Sequence, residues 1–339
     1  MLKLPFKIAL IGAGGVARHG HLPVLRNCPD CHLSVVIDPS EAALQAVKKE
    51  FTHVRLYRSL EEADLDKIDC AIVCSPSVLH YAHTRFLLEK GMHVLCEKPL
   101  GIYAREAKEL VSLAEKKKLV LQAGYNRRYQ PVALFLAKAV HSGTYGPLVR
   151  VVARGGSIAR GLSEAILNPQ LSGGGVLMDY GVHFIDRLCS WFDELEVISC
   201  KTDSEGGAEA NAHVTLRGSN RWSAQVPVEL SMSWTTEMGD TFTLEFHNVT
   251  IKCTINNGNQ YYIAHHRKQT PLLKNIYKDE LRTLRGPQLN IMEQQWQEFM
   301  QRLSGHAAGP SSLQDAIRTT AVAESCYTMK EKLHLAYGY

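Results

Sequence analysis

Gly12-Ala13-Gly14-Gly15-Val16-Ala17 follows a short apolar run at 7–11 and opens a helical pattern. This is the G-x-G-x-x-G/A arrangement of a dinucleotide-binding turn between a strand and a helix. Gly12 permits the tight turn, Gly14 lets backbone approach a pyrophosphate, and the small Ala17 lets helix and strand pack closely. The backbone of Gly14, Gly15 and Val16 then lies at a helix N-terminus, whose free N–H groups and positive dipole end attract phosphate. Asp38 closes the second apolar run, 26 positions after Gly12. A carboxylate there accepts hydrogen bonds from adenosine ribose hydroxyls and repels a 2′-phosphate. Pro39-Ser40-Glu41-Ala42, which follows, has no arginine or lysine to hold such a phosphate. These residues point to NAD in preference to NADP. The competing reading of Asp38 is a turn or helix N-cap residue.

Other residues capable of chemistry carry weaker patterns. Cys28-Pro29-Asp30-Cys31 is a CxxC, but it precedes an apolar strand, whereas a redox pair has its first thiol at a helix N-terminus. No second CxxC completes a zinc set, so no metal site is expected. The nine cysteines are odd in number and scattered, showing no disulfide framework, which suits a reducing cytoplasm. The net charge of +4 is small for 339 residues and argues against nucleic-acid binding. The basic run His265-His266-Arg267-Lys268 reads as a solvated loop. No stretch approaches the ~20 apolar residues of a membrane span. Lys3 and Lys7 beside Ile8-Ala9-Leu10-Ile11 imitate a signal peptide, but the run is short and leads straight into the glycine motif, so it reads as a strand.

These residues need a scaffold. At 339 residues, with 45% hydrophobic and 21% charged, two globular domains are expected. Strand-like runs at 7–11, 33–37, 70–74, 94–96 and 120–123 alternate with helical patterns such as 40–51 and 104–116, the mark of a parallel βαβ sheet. After about Pro131 the period changes. Between 210 and 255, Ala224, Val226, Val228, Leu230, Met232 and Trp234 alternate with Gln225, Glu229, Ser231 and Ser233; Phe242, Leu244 and Phe246, then Val249, Ile251, Cys253 and Ile255, repeat the period. Period two over adjacent runs means an antiparallel sheet with one buried face. Pro227 within it suggests an edge or a bulge. Met292, Trp296, Phe299 and Leu303 mark one face of a helix, and 311–330 a second, with Ser311 or Ser312 as N-cap. The expected architecture is α/β: a Rossmann domain with a parallel sheet over 1–125, then an α+β domain with a large, mainly antiparallel sheet over 126–339, the terminal helices packing back on the first domain.

Four further blocks, in chain order, resemble the glucose–fructose oxidoreductase / inositol dehydrogenase / rhizopine-catabolism (Gfo/Idh/MocA) family. They are Ser75-Pro76-Ser77-Val78-Leu79-His80, Gly91-Met92-His93-Val94-Leu95-Cys96-Glu97-Lys98-Pro99, Gly124-Tyr125-Asn126-Arg127-Arg128-Tyr129, and Gly173-Gly174-Gly175-Val176-Leu177-Met178-Asp179-Tyr180-Gly181-Val182-His183. The second is similar to the family's GKHVxCEKP and the last to its GGGxLxDxGxH. The resemblance covers the Rossmann half and the start of the second domain. Ser75 stands where members often have threonine, which keeps the hydroxyl.

The resemblance implies that Ser75, Pro76, His80, Glu97, Lys98 and Asn126 line the cofactor, with Glu97-Lys98-Pro99 beside the nicotinamide. It further implies that Lys98, Asp179 and His183 form the catalytic set and, with Arg127, meet the substrate. The chemistry is coherent. Oxidising a carbinol sends hydride to the cofactor and a proton to a base, and histidine titrates near neutrality. A lysine ammonium favours a developing alkoxide. Asp179 and His183, four apart on a helix, share a face. Arg127 and Arg128 suit either phosphate or carboxylate groups of a substrate or structural ion pairs. The leading expectation is an NAD-dependent oxidoreductase interconverting a secondary alcohol and a ketone on a sugar, cyclitol or nucleotide sugar, in a cytoplasmic homodimer or homotetramer paired through the polar sheet face. The alternatives are a redox-neutral glycoside hydrolase of the same family, with transient oxidation, or a catalytically silent cofactor-binding regulator; the presence of Lys98, Asp179 and His183 favours an enzyme.

Overall fold

A computed structural model describes residues 4–254, 260–265, 280–283, 290–306 and 309–333. The chain divides into two compact units, Met1–Asn126 with Leu289–Thr320, and Arg127–Gln288 with Ala321–Tyr339.

In the first unit, strands β1 (Phe6–Ile11), β2 (Cys31–Ile37), β3 (Arg55–Tyr57), β4 (Cys70–Val73), β5 (His93–Glu97) and β6 (Leu121–Gly124) form a six-stranded sheet in the order β3-β2-β1-β4-β5-β6. Among the described residues its strands all pair parallel. Helices α1 (Leu22–Asn27), α2 (Glu41–Glu50), α3 (His80–Glu89) and α4 (Ala104–Lys117) form the crossovers, and α1 is entered through a π-helical turn, Ala17–His21. Strands buried on both faces read as unbroken apolar runs, which is why Cys70-Ala71-Ile72-Val73 carries no alternation. β3 is absent from the strand pattern expected from the sequence: its three residues are all half-buried, too short a run to carry a period. Ser40 caps α2 by accepting from the Ala43 N–H.

The second unit begins with α5 (Pro131–Ser142), β7 (Leu148–Gly156) and two single turns, α6 (Glu164–Leu167) and α7 (Pro169–Ser172). The π-helical turn Leu177–Gly181 runs into α8 (Val182–Trp191), followed by β8 (Glu194–Thr202), β9 (Asn211–Asn220), β10 (Ser223–Ser233), β11 (Gly239–Phe246), β12 (Val249–Thr254), β13 (Gln260–His265) and β14 (Glu280–Thr283). Two further helices, α9 (Ile291–Leu303) and α10 (Leu313–Thr328), precede the short β15 (Lys330–Lys332). Among the described residues the second sheet has nine strands in the order β14-β13-β12-β11-β7-β10-β9-β8-β15; β10 pairs parallel with β7 and β15 with β8, and the remaining neighbours pair antiparallel.

β10 refines the sequence reading. It is an interior strand, and a register shift lies between Ser223 and Val226, with Gln225 at φ 56°. The irregularity is therefore a bulge, not an edge, and Pro227 follows it before the β7 pairing begins at Val228. The extra residue turns Ala224 to solvent, although Val226, Val228, Leu230 and Met232 are buried as the alternation requires. Trp234 leaves the pattern too, lying beyond the strand end. Ile255 and residues 266–268 lie outside the described residues.

The first unit has a core on each face of its sheet. One holds Leu87, Leu110, Val111 and Ile317; the other holds Leu22, Leu25, Leu44, Trp296 and Phe299, so α9 returns to cover the parallel sheet. In the second unit α8 packs on the long sheet, with the Phe184 and Trp191 rings 5.3 and 5.0 Å from that of Phe242.

Candidate active site

In the first unit the order of strands reverses between β1 and β4, and ligands of open α/β sheets bind at the carboxyl ends of strands flanking such a point. Gly12 stands there at φ +90°, and a Cβ on it would lie 2.6 Å from the Cys74 carbonyl, so only glycine fits. Gly14 and Gly15 are the reverse case: a Cβ on either would meet nothing within 4 Å. Their exposed backbone borders an open cradle at the start of a helix that has no side-chain cap. This space and the uncapped N–H groups fit a pyrophosphate. Asp38 sits at the end of β2, its two carboxylate oxygens accepting from the Ala13 N–H at 2.7 Å and the Ser40 N–H at 2.8 Å. Each oxygen retains a second lone pair for a ribose hydroxyl.

Across the reversal point lie the loops after β4 and β5. Ser75 and Pro76 are half-buried, and the Ser75 hydroxyl is 2.9 Å from Nδ1 of His83. His80 is only 2% exposed, and its ring nitrogens are 2.7 and 2.8 Å from the carbonyls of Pro99 and Ser75. It therefore ties the two loops together from below. Burial holds its pKa under the usual histidine range, with the two carbonyls pulling the other way. Lys98 is half-buried and precedes a cis proline, Pro99. Glu97 is buried; desolvation opposes its charge, yet His21 and Lys98 outweigh this and keep its pKa below the ordinary glutamate value. Asn126 donates its side-chain amide to the Met292 thioether at 3.0 Å.

The second unit carries Asp179 and His183 on the π-helical turn and α8. The start of this segment is fixed from a distance. Buried Glu209 accepts from the Gly175 N–H at 3.0 Å, the Leu177 N–H at 3.1 Å and the Tyr327 hydroxyl at 2.7 Å, so a carboxylate caps the helix N-terminus. Gly175 must be glycine, because its Cβ would fall 2.1 Å from the Glu209 carbonyl oxygen. Asp179 is half-buried, and His183 is 7% exposed.

The two arginines of the third block part company. Arg128 is a structural residue: Nε and Nη2 grip the Asp186 carboxylate at 2.5 and 2.8 Å, and Nη2 also reaches the Asp186 carbonyl at 2.9 Å, with the side chains 6% and 2% exposed. Arg127 is more open at 22%; it pairs with buried Asp240 at 3.1 Å and lies 4.3 Å over the Tyr180 ring, while the Tyr180 hydroxyl donates to the same Asp240. Burial pushes the Arg127 pKa down, and the carboxylates of Asp240 and Asp179 oppose that.

No sequence motif marks His21, Asp186, Glu209 or Asp240. Only His21 had a local signal: Ala17, His21 and Leu25 recur at four-residue spacing and are all buried, marking a histidine on an apolar helix face. The acidic three act across long stretches of chain that no spacing reveals. The CxxC is also clarified. Cys28 follows the C-terminal end of α1, where the helix dipole disfavours a thiolate, and burial pushes the Cys31 thiol up.

Fold and cradle together define an NAD(P)-binding Rossmann domain joined to an α+β domain. Residues 6–125 match the model described as "Oxidoreductase family, NAD-binding Rossmann fold", and residues 134–253 match the GFO/IDH/MocA C-terminal domain; together these cover more than two thirds of the chain. The chain belongs to the Gfo/Idh/MocA oxidoreductase family. It is 32% identical over 191 residues to the D-glucoside 3-dehydrogenase of Escherichia coli (55% of this chain, 54% of that protein). It is 27% identical over 187 residues to the scyllo-inositol 2-dehydrogenase (NADP(+)) IolW of Bacillus subtilis (55% and 51%). The chain thus spans about half the length of the curated relatives it matches. Among solved structures, a 3-ketoreductase from Actinomadura kijaniata in complex with NADP and TDP-benzene superposes with TM-score 0.82 at 17% identity, over 98% of this chain and 99% of that one. Among the described residues no helix is long and apolar enough to cross a membrane, and no group of three His, Cys, Asp or Glu could hold a metal.

Proposed function

We propose that the protein is an NAD(P)-dependent oxidoreductase interconverting a secondary alcohol and a ketone on a sugar, cyclitol or nucleotide sugar, with NAD preferred. The observation that carries the reading is the open cradle over Gly14 and Gly15 beside Asp38, in a chain whose relatives include a glucoside dehydrogenase and an inositol dehydrogenase. When bound, a nicotinamide cofactor supplies the hydride acceptor. Lys98, on the turn after β5, stabilises the alkoxide as it forms. His183 takes the hydroxyl proton and Asp179 orients the substrate or tunes His183. Arg127 is held by Asp240 and Tyr180 as the substrate-facing arginine. The preference for NAD rests on Asp38, whose carboxylate repels a 2′-phosphate. A screen of sugars, inositols and nucleotide sugars with both cofactors, followed by nicotinamide absorbance, tests the reading. Absence of turnover with every class would overturn it, and turnover without net reduced cofactor would shift it to a redox-neutral hydrolase.

Assembly as a homodimer or homotetramer is part of this proposal. The outer sheet face carries half-buried Thr215, Ser231, Thr241 and Thr243, with His213 bonded to Ser231 at 2.9 Å, a polar surface suited to face-to-face pairing. Light scattering showing a monomer would remove it.

A further inference from the structure

Trp296 of α9 donates its indole N–H to Nδ1 of His21 at 3.0 Å, and Nε2 of His21 is 2.9 Å from Oε1 of Glu97. An indole nitrogen donates and never accepts. Nδ1 of His21 is therefore the acceptor, the ring proton resides on Nε2, and Nε2–H donates to Glu97. The other Glu97 oxygen receives the Lys98 backbone N–H at 3.3 Å. With both oxygens acting as acceptors, a carboxyl proton has no partner in this chain of bonds. A second proton on His21 would face the indole N–H. All three residues are buried, at 0% for His21, 2% for Trp296 and 4% for Glu97. The geometry thus allows one charge state, a neutral imidazole and an ionised carboxylate. That carboxylate lies at the carboxyl end of β5, across the strand-order reversal from the phosphate cradle, and closely against Gly124, where a Cβ would be 3.0 Å from Oε2. A Rossmann sheet seats the second nucleotide of a dinucleotide on this side.

We propose that Trp296 and His21 are positioning residues that lock Glu97 as a permanent carboxylate, and that this charge makes the protein bind the oxidised nicotinamide cofactor in preference to the reduced one. The inference rests on the NAD(P)-dependent reading above. An oxidised nicotinamide ring carries a positive charge and a reduced ring carries none, so a buried fixed anion stabilises one and not the other, with little screening by water.

Two measurements test it. First, the full-length protein is labelled with 15N in its histidine rings, and His21, identified by its loss in H21Q, is expected in the Nε2–H tautomer alone. W296F is expected to mix the tautomers. An imidazolium or an Nδ1–H tautomer in the wild type would overturn the lock. Second, the Kd values of oxidised and reduced cofactor are measured by calorimetric titration for the wild type and E97Q, with melting curves confirming that both are folded. Loss of the charge is expected to lower the preference for the oxidised form about tenfold, equivalent to about 1.4 kcal/mol. W296F keeps the carboxylate and should lower that preference by a smaller factor, which provides the measurement if E97Q does not fold. A purely structural role predicts that both affinities fall together; an unchanged ratio in a folded E97Q overturns the inference. A wild type that binds neither cofactor overturns the NAD(P)-dependent reading itself, whatever tautomer His21 shows.

Discussion

Replacing Arg128 by methionine separates a structural arginine from a substrate-binding one. The side chain makes three bonds of 2.5–2.9 Å to Asp186, two to the carboxylate and one to the carbonyl, and both side chains are almost fully buried. R128M would remove the guanidinium that makes these bonds to the buried Asp186 carboxylate. Breaking a buried pair from one side costs about 3–5 kcal/mol, whereas an exposed pair contributes about 0–1 kcal/mol. In a unit of this size, each 1 kcal/mol displaces Tm by about 2–4 °C, so a loss of about 3 kcal/mol lowers it by about 6–12 °C. D186N should do comparable damage, because it removes the negative charge that the buried guanidinium faces. The double variant R128M/D186L should recover most of the loss, since an apolar pair of similar volume is often as stable as a buried ion pair. Calorimetric melting of the wild type and the three variants checks this. A loss below about 1 kcal/mol in R128M, the ceiling for an exposed pair, would refute the argument and return Arg128 to the candidates for substrate binding.

K98M and H183N are expected to keep cofactor affinity and melting temperature while losing turnover by ~100-fold or more, as removal of a charge stabiliser or a general base does; near-normal turnover in either would reassign that role. D38S should weaken the preference for NAD over NADP, and an unchanged preference in the two titrations would move specificity elsewhere. Burial holds the pKa values of His80, His83 and His93 below the ordinary histidine value. The unfolded chain then takes up protons near pH ~6.5 while the folded one does not, so stability should rise with pH and fall on acidification from about pH 7 to 5. Urea unfolding midpoints at several pH values check the sign, and a midpoint that rises as pH falls would contradict it.

The elements legible in the sequence are those whose signal is local. The glycine turn is one: each of its residues is required by backbone within a few positions, and Gly12 indeed touches Cys74 where no side chain fits. The parallel sheet and the alternation of β10–β12 are legible for the same reason, since burial on two faces or one writes a period into the strand itself. The alternation fails at Ala224, where a bulge adds a residue and reverses the faces, an event that no composition announces. β3 fails by length alone.

The residue types of the candidate site were also determined by the sequence: a lysine after a buried strand, an aspartate and a histidine four apart on a helix, and an acidic residue at the end of β2. What each group is bonded to was decided only by tertiary structure. Arg127 and Arg128 are adjacent and chemically identical, yet one is sealed against Asp186 and the other is partly open beside Asp240 and Tyr180. The proton on His21 is assigned by Trp296, 275 positions away, and the turn bearing Asp179 is capped by Glu209 from the loop before β9. The reason is physical. Sequence records what a residue needs from its own turn of helix or strand, whereas the charge state and freedom of a buried polar group depend on donors and acceptors that folding brings in from anywhere along the chain.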